Sequence, residues 1–331
     1  MPTLITGAGL VGSAVAARLI AEYSDEPVLY DVRFREENLR DHLDFRRATL
    51  VQGDLGDADA LHETMCRYRV DRLVHTAGLL AQAVREQPVE GARVNVLGSL
   101  SVLQAARRVG ARRLVYCGSV AVALGLRRGA HDVPVGEDFA LHTESEYPPS
   151  LYSAMKLATE WLGREHEAQH GVEFVSLRLS GVFGRWRGSN SGMAGQVVQR
   201  LMDLGWRGEV VPVTAAELQR PANYVYAADA AQAAVRALMA ERLPHRVYNV
   251  AMERNYSVAE LAPLVEAALG RAVELDVRGE PSAQPPAGFP LVDTRRVRQD
   301  LGWTLEFPME RALRDYVAWR RSPTWDAGPI S

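Results

Sequence analysis

Short apolar runs alternate with amphipathic stretches through the first half of the chain. The stretches 11–22, 58–68 and 94–109 repeat apolar residues at helical spacing, and a further unit predicts a helix over 151–170 and a strand over 172–179. Strands that alternate with helices favour a parallel sheet covered on both faces, so the pattern predicts a doubly wound α/β fold. The first five predicted strands contain Thr3-Leu4-Ile5, Val28-Leu29-Tyr30, Leu50-Val51, Leu73-Val74 and Leu114-Val115-Tyr116.

This alternation weakens after Gly184. Glycine and arginine become frequent over 185–208, shorter pieces of strand and helix follow, and the proline-rich stretch 281–290 is predicted to be a loop. We therefore predict a sheet domain over residues 1–180 and a smaller α/β domain over 181–331. Segments at about 222–250 are expected to return to the sheet domain.

The composition narrows the class of protein. Hydrophobic residues make up 47% and charged residues 24% of the 331 residues, and the formal net charge is −3. This charge argues against nucleic acid or an anionic membrane as the main partner. No apolar run approaches the roughly 20 residues needed to cross a bilayer, and the chain begins without a signal-peptide pattern. Because two cysteines are too few for a disulfide framework, we expect a cytoplasmic protein.

A glycine-rich turn follows the first predicted strand. Gly7, Gly9 and Gly12 match G-x-G-x-x-G and open the first helix, an arrangement that binds the pyrophosphate of a dinucleotide in Rossmann-type sheets. Asp31 ends the second strand, where an acid can bond both ribose hydroxyls. Because its carboxylate would repel a 2′-phosphate, NAD is favoured over NADP, although Arg33 and Arg35 lie close by.

Two further turns follow the third and fourth predicted strands. Asp54 and Leu55 come after the third strand, where the carboxylate could accept from an adenine amino group. Thr76, Ala77 and Gly78 come after the fourth, where small residues let the backbone lie against a cofactor. Each turn alone has an ordinary structural explanation. Four such turns at the carboxyl edge of one sheet are typical of a ligand site.

The single lysine of the chain, Lys156, follows Tyr152 by four residues, whereas the other 37 basic residues are arginines. This spacing places both side chains on one helical face. A phenol has a pKa of about 10. A neighbouring ammonium should lower that pKa and suit Tyr152 to exchange a proton with an alcohol or a carbonyl. Ser119, just beyond the fifth strand, can hydrogen-bond the same oxygen.

Over nearly its whole length the chain resembles the extended short-chain dehydrogenase/reductases, the NAD-dependent epimerase/dehydratase group. Beyond Ser119, Tyr152 and Lys156, the motifs that carry the resemblance are Asn95-Val96-Leu97-Gly98, the segment 177–184, Tyr224-Val225-Tyr226-Ala227-Ala228-Asp229, Tyr248-Asn249-Val250 and Asp300-Leu301-Gly302-Trp303. Together with the turns, the resemblance implies these cofactor-binding residues: Gly7, Gly9, Leu10, Val11, Gly12, Asp31, Asp54, Leu55, Thr76, Ala77, Gly78, Asn95, Tyr152, Lys156, Leu179 and Val182. It implies a substrate bound in the second domain.

The chain departs from the family at positions that bear on its substrate. Nucleotide-sugar enzymes of the group usually carry Asn at position 181 and Pro at 185, where this chain has Gly181 and Arg185. The acid pair of sugar dehydratases is replaced by Val120-Ala121, so dehydration is not expected. Arginine can clamp an anion with two parallel bonds, and most arginines are solvated. The residues expected to contact substrate are Leu80, Ser119, Gly181, Arg185 and Arg220.

One motif points to different chemistry. His166-Glu167-Ala168-Gln169-His170 matches the zinc motif H-E-x-x-H. Such a site needs a third ligand, whereas Gly171 is expected to end this helix at once. A histidine near the negative end of a helix has an electrostatic reason to be there. We therefore expect no metal.

The expected reaction is reversible hydride transfer between a carbinol carbon of a small substrate and the nicotinamide, with Tyr152 exchanging the proton. The departures at positions 181 and 185 favour a dehydrogenase or reductase acting on a small polyhydroxylated or acidic compound. A nucleoside-diphosphate-sugar 4-epimerase with tightly held NAD is the alternative, and an NAD-binding sensor without turnover is a remote one. By resemblance the protein is expected to form a homodimer through the Asn95 and Tyr152 helices.

Overall fold

A computed structural model describes residues 2–123, 134–138, 150–188, 192–280, 288–289 and 291–322. Most of the predicted loop over 281–290 therefore lies outside the described residues. The strands are β1 (Thr3–Thr6), β2 (Val28–Asp31), β3 (Thr49–Gln52), β4 (Arg72–His75), β5 (Arg113–Ser119), β6 (Glu173–Leu179), β7 (Gly181–Phe183), β8 (Val211–Thr214), β9 (Tyr224–Tyr226), β10 (Val247–Val250) and β11 (Leu275–Arg278).

The helices lie between these strands and at the end of the chain. They are α1 (Leu10–Tyr23), α2 (Glu36–Leu39), α3 (Ala58–Arg67), α4 (Ala81–Glu86), α5 (Pro88–Ala92), α6 (Ser99–Arg108), α7 (Leu151–His170), α8 (Met193–Arg207), α9 (Ala215–Gln219), α10 (Ala227–Met239), α11 (Val258–Leu269), α12 (Arg295–Leu301) and α13 (Met309–Arg320), with a 3₁₀ turn at Phe45–Arg47 and a π-helical stretch at Arg93–Gly98.

A seven-stranded parallel sheet in the order β10-β6-β5-β4-β1-β2-β3 forms the centre of the structure. The middle residues of its strands are mostly apolar and buried because helices cover both faces. One face packs against α1 and α10, with Val15, Leu19 and Val235 in the shared core. The other packs against α3 and α6, with Leu61 and Val102 buried. The predicted doubly wound parallel sheet is thus confirmed.

The chain after Ser180 builds a second, smaller core. Strands β7 and β9 form one two-stranded parallel sheet, and β8 and β11 form another. Helices α8, α11 and α13 pack there around Leu201, Leu261 and Leu313. Within the segment 222–250, α10 packs against α1 and β10 pairs with β6 at the edge of the main sheet. The chain therefore returns to the main sheet before its last helices.

The stretch predicted as one helix over 94–109 differs in the structure. Residues Arg93–Gly98 are π-helical, and a regular α-helix begins only at Ser99. The carbonyl of Asn95 accepts from the hydroxyls of Ser99 and Thr159, at 2.7 and 2.8 Å. These side-chain bonds, one of them from α7, accompany the wider turn. Such turns are frequent at functional sites.

Candidate active site

One cleft of about 740 Å³ runs along the carboxyl ends of the main-sheet strands and into the second core. This is the edge at which doubly wound sheets bind ligands. Its volume is in the upper half of the roughly 300–1,000 Å³ range of ligand pockets, so the cleft offers room for more than one small molecule.

The glycine turn forms one end of the cleft. Gly7 has a φ of +90°, and a Cβ built on it would lie 2.6 Å from the amide nitrogen of Ala77. A Cβ on Gly12 would lie 1.8 Å from the carbonyl oxygen of Gly7. Gly9 is the N-cap of α1 and adds no side chain in front of the helix. The turn therefore leaves a bare backbone and a positive helix end, which fit a pyrophosphate.

Two acids stand at the expected adenosine end. Asp31 accepts from the backbone nitrogens of Ala8 and Arg33 at 2.7 and 3.0 Å, which fixes its carboxylate at the end of β2. Asp54 accepts from Arg93 Nη1 at 3.1 and 3.2 Å. The Arg93 side chain, followed by the backbone bond from Gly56, holds the pKa of Asp54 below its usual value. Asp54 is therefore ionised at neutral pH, and hydrogen bonds orient both carboxylates.

The chemical end of the cleft brings Ser119, Tyr152 and Lys156 together. Ser119 ends β5, and Tyr152 lies in the first turn of α7, where the Ser119 hydroxyl acts to lower the pKa of Tyr152. Burial nevertheless raises the pKa of Tyr152 to about 12. The sequence predicts the opposite direction. Lys156 does not overcome the effect of burial, because its Nζ donates to the carbonyl of Cys117 at 3.0 Å and lies 5.8 Å from the centre of the Tyr152 ring.

The lysine is itself an unusual group. Its side chain is 7% exposed, and Nζ lies 4.9 Å from the centre of the Tyr116 ring. Burial lowers the pKa of Lys156 to about 8, against a smaller opposing effect of Cys117. Lys156 is therefore largely protonated at neutral pH, although few groups solvate it.

The substitution Lys156→Met should remove a pH-dependent part of the stability. Because the pKa of Lys156 falls from 10.5 in an exposed lysine to about 8 in the folded protein, the unfolded chain binds more protons between these values. Stability from this group therefore rises with pH over that window and is lost as the pH falls through 8, by about 1–3 kcal/mol in all. Urea unfolding of NAD-free wild type and variant from pH 7 to 10.5 measures the difference, and a flat or falling difference would contradict the expectation.

Most of the predicted cofactor and substrate residues border this one cleft. The predicted residues in its walls are Gly7, Gly9, Leu10, Val11, Asp31, Asp54, Leu55, Thr76, Ala77, Gly78, Leu80, Ser119, Tyr152, Lys156, Leu179, Gly181, Val182 and Arg220. Gly12, Asn95 and Arg185 lie outside the walls. Gly12 lets α1 approach Gly7, and Asn95 holds a loop; the direct contact of these two residues with the cofactor stays a prediction.

Asn95 holds the loop that follows β4. Its amide oxygen accepts from the backbone nitrogen of Leu79 at 2.7 Å, and its amide nitrogen donates to the carbonyl of Leu79 at 2.9 Å. The side chain is 3% exposed. Since Leu79 and Leu80 border the cleft, Asn95 shapes the cleft from behind.

The two arginines expected at the substrate have different surroundings. Arg185 is paired with Asp315 of α13 through two nitrogens, and Tyr226 donates to the same carboxylate. It is therefore tied to the second core rather than directed at a substrate. Arg220 is exposed, borders the cleft, and has no ion-pair partner among the described residues. Of the two, only Arg220 is placed to meet an anion.

The H-E-x-x-H motif lies at the end of α7, remote from Tyr152. The rings of His166 and His170 are 4.6 Å apart, and Gly171 ends the helix with a φ of +77°. Within the described part of the chain no group of three or more metal-binding side chains occurs. The described helices also include none that is long and apolar enough to cross a membrane.

Several residues that border the cleft were not predicted. Arg93 orients Asp54, and Ser180 and Asn223 lie at the start of the paired strands β7 and β9. The position of Asn223 just before Tyr224-Val225-Tyr226 is the one sequence signal that could have indicated it. Ser180 lies in the family segment 177–184, which gave no sign of its role, and Arg93 carried no signal because its partner Asp54 is distant along the chain.

Comparison with known proteins identifies the family. Residues 3–251 match the NAD dependent epimerase/dehydratase family. A UDP-glucose 4-epimerase of Azospirillum brasilense is 28% identical over 288 residues, with 82% of this chain and 79% of that protein covered. The chain belongs to this family of NAD-dependent enzymes, as its motifs predict.

Solved structures agree on the fold. The UDP-glucose 4-epimerase of Thermus thermophilus in complex with NAD has a TM-score of 0.76 and 26% identity, and 97% of this chain and 100% of that chain are covered. The UDP-glucose 4-epimerase of Thermotoga maritima with UDP-glucose has a TM-score of 0.82 at 22% identity, with 97% and 99% covered. The second likeness shows the shared fold alone.

Proposed function

We propose that the protein is an NAD-dependent 4-epimerase of a nucleoside-diphosphate sugar. The observation that carries the proposal is one continuous cleft, whose walls include the glycine turn, Asp31 and the Ser119–Tyr152–Lys156 group and extend into the second core. The 28% identity to a UDP-glucose 4-epimerase over most of both chains favours epimerisation over net dehydrogenation. This reverses the preference that the sequence alone suggested.

The far end of the cleft has the room and the charge for a nucleotide part of the substrate. Beyond Gly181 its walls include Met193, Val197, Val258 and Phe289, with Arg220 at the rim. Apolar walls suit the faces of a base, and a guanidinium suits a diphosphate. Position 181 has no space for a side chain, because a Cβ on Gly181 would lie 2.6 Å from the Ala194 Cβ. The Asn found there in related nucleotide-sugar enzymes would not fit without movement of α8.

Each group at the chemical end has a task that its position supports. Oxidised NAD, when bound, would supply the hydride acceptor and a positive charge. Tyr152 removes the proton from the sugar hydroxyl and returns it, and Ser119 holds the same oxygen by a hydrogen bond. Lys156, buried and charged, lies 5.8 Å from the centre of the Tyr152 ring, and a cation at this range favours the ionised phenol. The apolar walls exclude water from this exchange.

A dehydrogenase is the second candidate, because position 181 has no space for the Asn that nucleotide-sugar enzymes of the family usually carry there. Incubation with UDP-glucose and NAD, followed by chromatography and absorbance at 340 nm, tests the choice. An epimerase converts UDP-glucose to UDP-galactose without accumulated NADH, whereas stoichiometric NADH would mean net oxidation. Bound NAD without any turnover would support the sensor.

Substitutions of Arg220 and Arg185 should have different effects, one on substrate binding and the other on stability. Arg220→Met should raise the KM for UDP-glucose roughly tenfold or more, because a charge-assisted bond to an anion is lost, with no change in Tm. The matched variant Arg185→Met should lower Tm, because Asp315 loses its partner, and should leave KM unchanged. Steady-state kinetics and thermal unfolding measure both effects. An unchanged KM in Arg220→Met would remove Arg220 from the proposed site.

We also propose that the protein is a homodimer. Leu97 and Trp161 lie on the two helical segments expected to pair, and they are 58% and 59% exposed in the single chain. Val89, next to this surface in sequence, is 83% exposed. Large apolar side chains at a surface favour an interface. Sedimentation equilibrium should give twice the mass of the chain, and a monomer at micromolar concentration would contradict the proposal.

A further inference from the structure

Two buried polar atoms border the cleft without a hydrogen-bond partner. They are Ser180 Oγ and Asn223 Oδ1, neither of which has a partner among the described residues. Ser180 is 7% exposed and Asn223 is 3% exposed, and both residues are in the cleft wall. An unpaired buried polar group is unfavourable because it has given up its hydrogen bonds to water. A group left in this condition at the wall of a ligand cleft is a candidate for a bond to the ligand.

The strand register makes these two residues neighbours. Gly181 pairs with Tyr224 in the parallel ladder of β7 and β9, and the Gly181 nitrogen donates to the carbonyl of Asn223 at 3.1 Å. Continuing this register by one residue places Ser180 beside Asn223. Adjacent strands lie about 4.8 Å apart, and paired residues direct their side chains to the same face. The two polar atoms can thus reach one hydroxyl group or two adjacent ones.

The amide of Asn223 is held in one orientation. Its Nδ2 donates to the carbonyl of Met252 at 3.2 Å and to Asn255 Oδ1 at 2.8 Å. Asn255 is held in turn, since its Nδ2 donates to the carbonyl of Phe289 at 2.6 Å. A flip of Asn223 would turn an oxygen toward the Met252 carbonyl. The network therefore leaves Oδ1 as a fixed acceptor.

We propose that Ser180 and Asn223 form a hydroxyl-recognition subsite that determines which polyhydroxylated substrate the enzyme accepts. Asn223 Oδ1 accepts from a substrate hydroxyl, and Ser180 donates to the oxygen of the same hydroxyl or of its neighbour. Gly181, which has no side chain, lets Ala194 of α8 pack closely against this corner of the cleft. The assignment to a sugar hydroxyl rests on the proposed function, and it adds a group that selects among sugars rather than one that reacts.

The substitution Ser180→Ala tests the subsite with no hydrogen bond lost in the ligand-free protein. The probes are UDP-glucose and its 2-deoxy, 3-deoxy and 6-deoxy analogues, each with wild type and variant. Wild type should prefer UDP-glucose over one analogue by about 3- to 10-fold in kcat/KM, the value of one hydrogen bond. Ser180→Ala should abolish that one preference. The proposal is overturned if wild type shows no preference, or if the variant changes all four values equally.

Ser176→Ala is the matched control. Ser176 lies on β6, is fully buried, and donates to Glu160 Oε2 at 2.8 Å outside the cleft. This control should lower Tm and keep the analogue preference of wild type, whereas Ser180→Ala should keep the Tm. If both variants lost the preference, the effect would belong to general packing and the subsite would be rejected.

A crystal structure of the full chain with NAD separates this proposal from the proposed function. An ordered water or ligand oxygen should lie within hydrogen-bond distance of both Ser180 Oγ and Asn223 Oδ1. If it does while UDP-glucose is not converted, the subsite stands and the epimerase proposal fails. If UDP-glucose is converted but both atoms are bonded to protein groups, the epimerase proposal stands and the subsite is overturned.

Discussion

Replacement of Tyr152 by Phe should lower kcat for the conversion of UDP-glucose by roughly 10²–10⁴-fold, the usual contribution of a positioned acid–base group. The ring would remain in the first turn of α7, where Tyr152 borders the cleft. Only the phenol hydroxyl would be lost. The amount of NAD bound should therefore stay the same. Stopped-time assays by chromatography, with NAD content measured on the same preparation, give both quantities.

Tyr248→Phe is the matched control for this experiment. Tyr248 is another buried tyrosine, on β10, and its hydroxyl bonds His245 and Asp300 outside the cleft. The control should lose some stability and keep its kcat. Near-normal turnover by Tyr152→Phe, or an equal loss in both variants, would remove Tyr152 from the reaction.

Replacement of Gly12 by Ala should weaken the binding of the cofactor. The added Cβ would lie 1.8 Å from the carbonyl oxygen of Gly7 and 2.9 Å from Thr76 Oγ1, and Thr76 itself donates to that carbonyl at 2.8 Å. The obstacle is backbone that cannot turn away, so α1 and the glycine turn must move apart. Overpacking of this kind costs typically about 1–3 kcal/mol. NAD affinity should accordingly fall by roughly tenfold to a hundredfold, as measured by calorimetry.

Gly136→Ala is the control for the added methyl group. A Cβ at Gly136 meets no atom of the described residues within 4 Å, so this variant should bind NAD as wild type does. A Gly12→Ala protein with unchanged NAD affinity would show that the close packing of α1 on the glycine turn is not needed for the cofactor.

Local signals were sufficient for the sheet and for the helix of Tyr152. The helix predicted over 151–170 is Leu151–His170 in the structure. Its end could be predicted because Gly171 alone stops the helix by adopting a left-handed conformation, with a φ of +77°. The strands of the main sheet are likewise close to their predicted positions, since burial on both faces leaves an apolar run that is visible in the sequence.

Contacts between distant segments were beyond the sequence. Arg185 was expected at the substrate, yet its partner Asp315 lies far along the chain on α13. Ser180 and Asn223 become neighbours only through the β7–β9 register. The pKa of Tyr152 was predicted to fall, whereas burial raises it to about 12. Each of these results depends on which groups surround a side chain, and spacing along one helix does not determine that.

The transfer of a hydrogen within one active site is the most direct test of the account. The NAD-loaded enzyme should convert UDP-glucose carrying deuterium at C4 into UDP-galactose that keeps the deuterium at C4, with no net rise in absorbance at 340 nm. This result requires the substrate hydrogen to leave as a hydride and to return to the same carbon. Loss of the deuterium to solvent, accumulation of reduced cofactor, or no conversion of UDP-glucose would contradict the proposed epimerase.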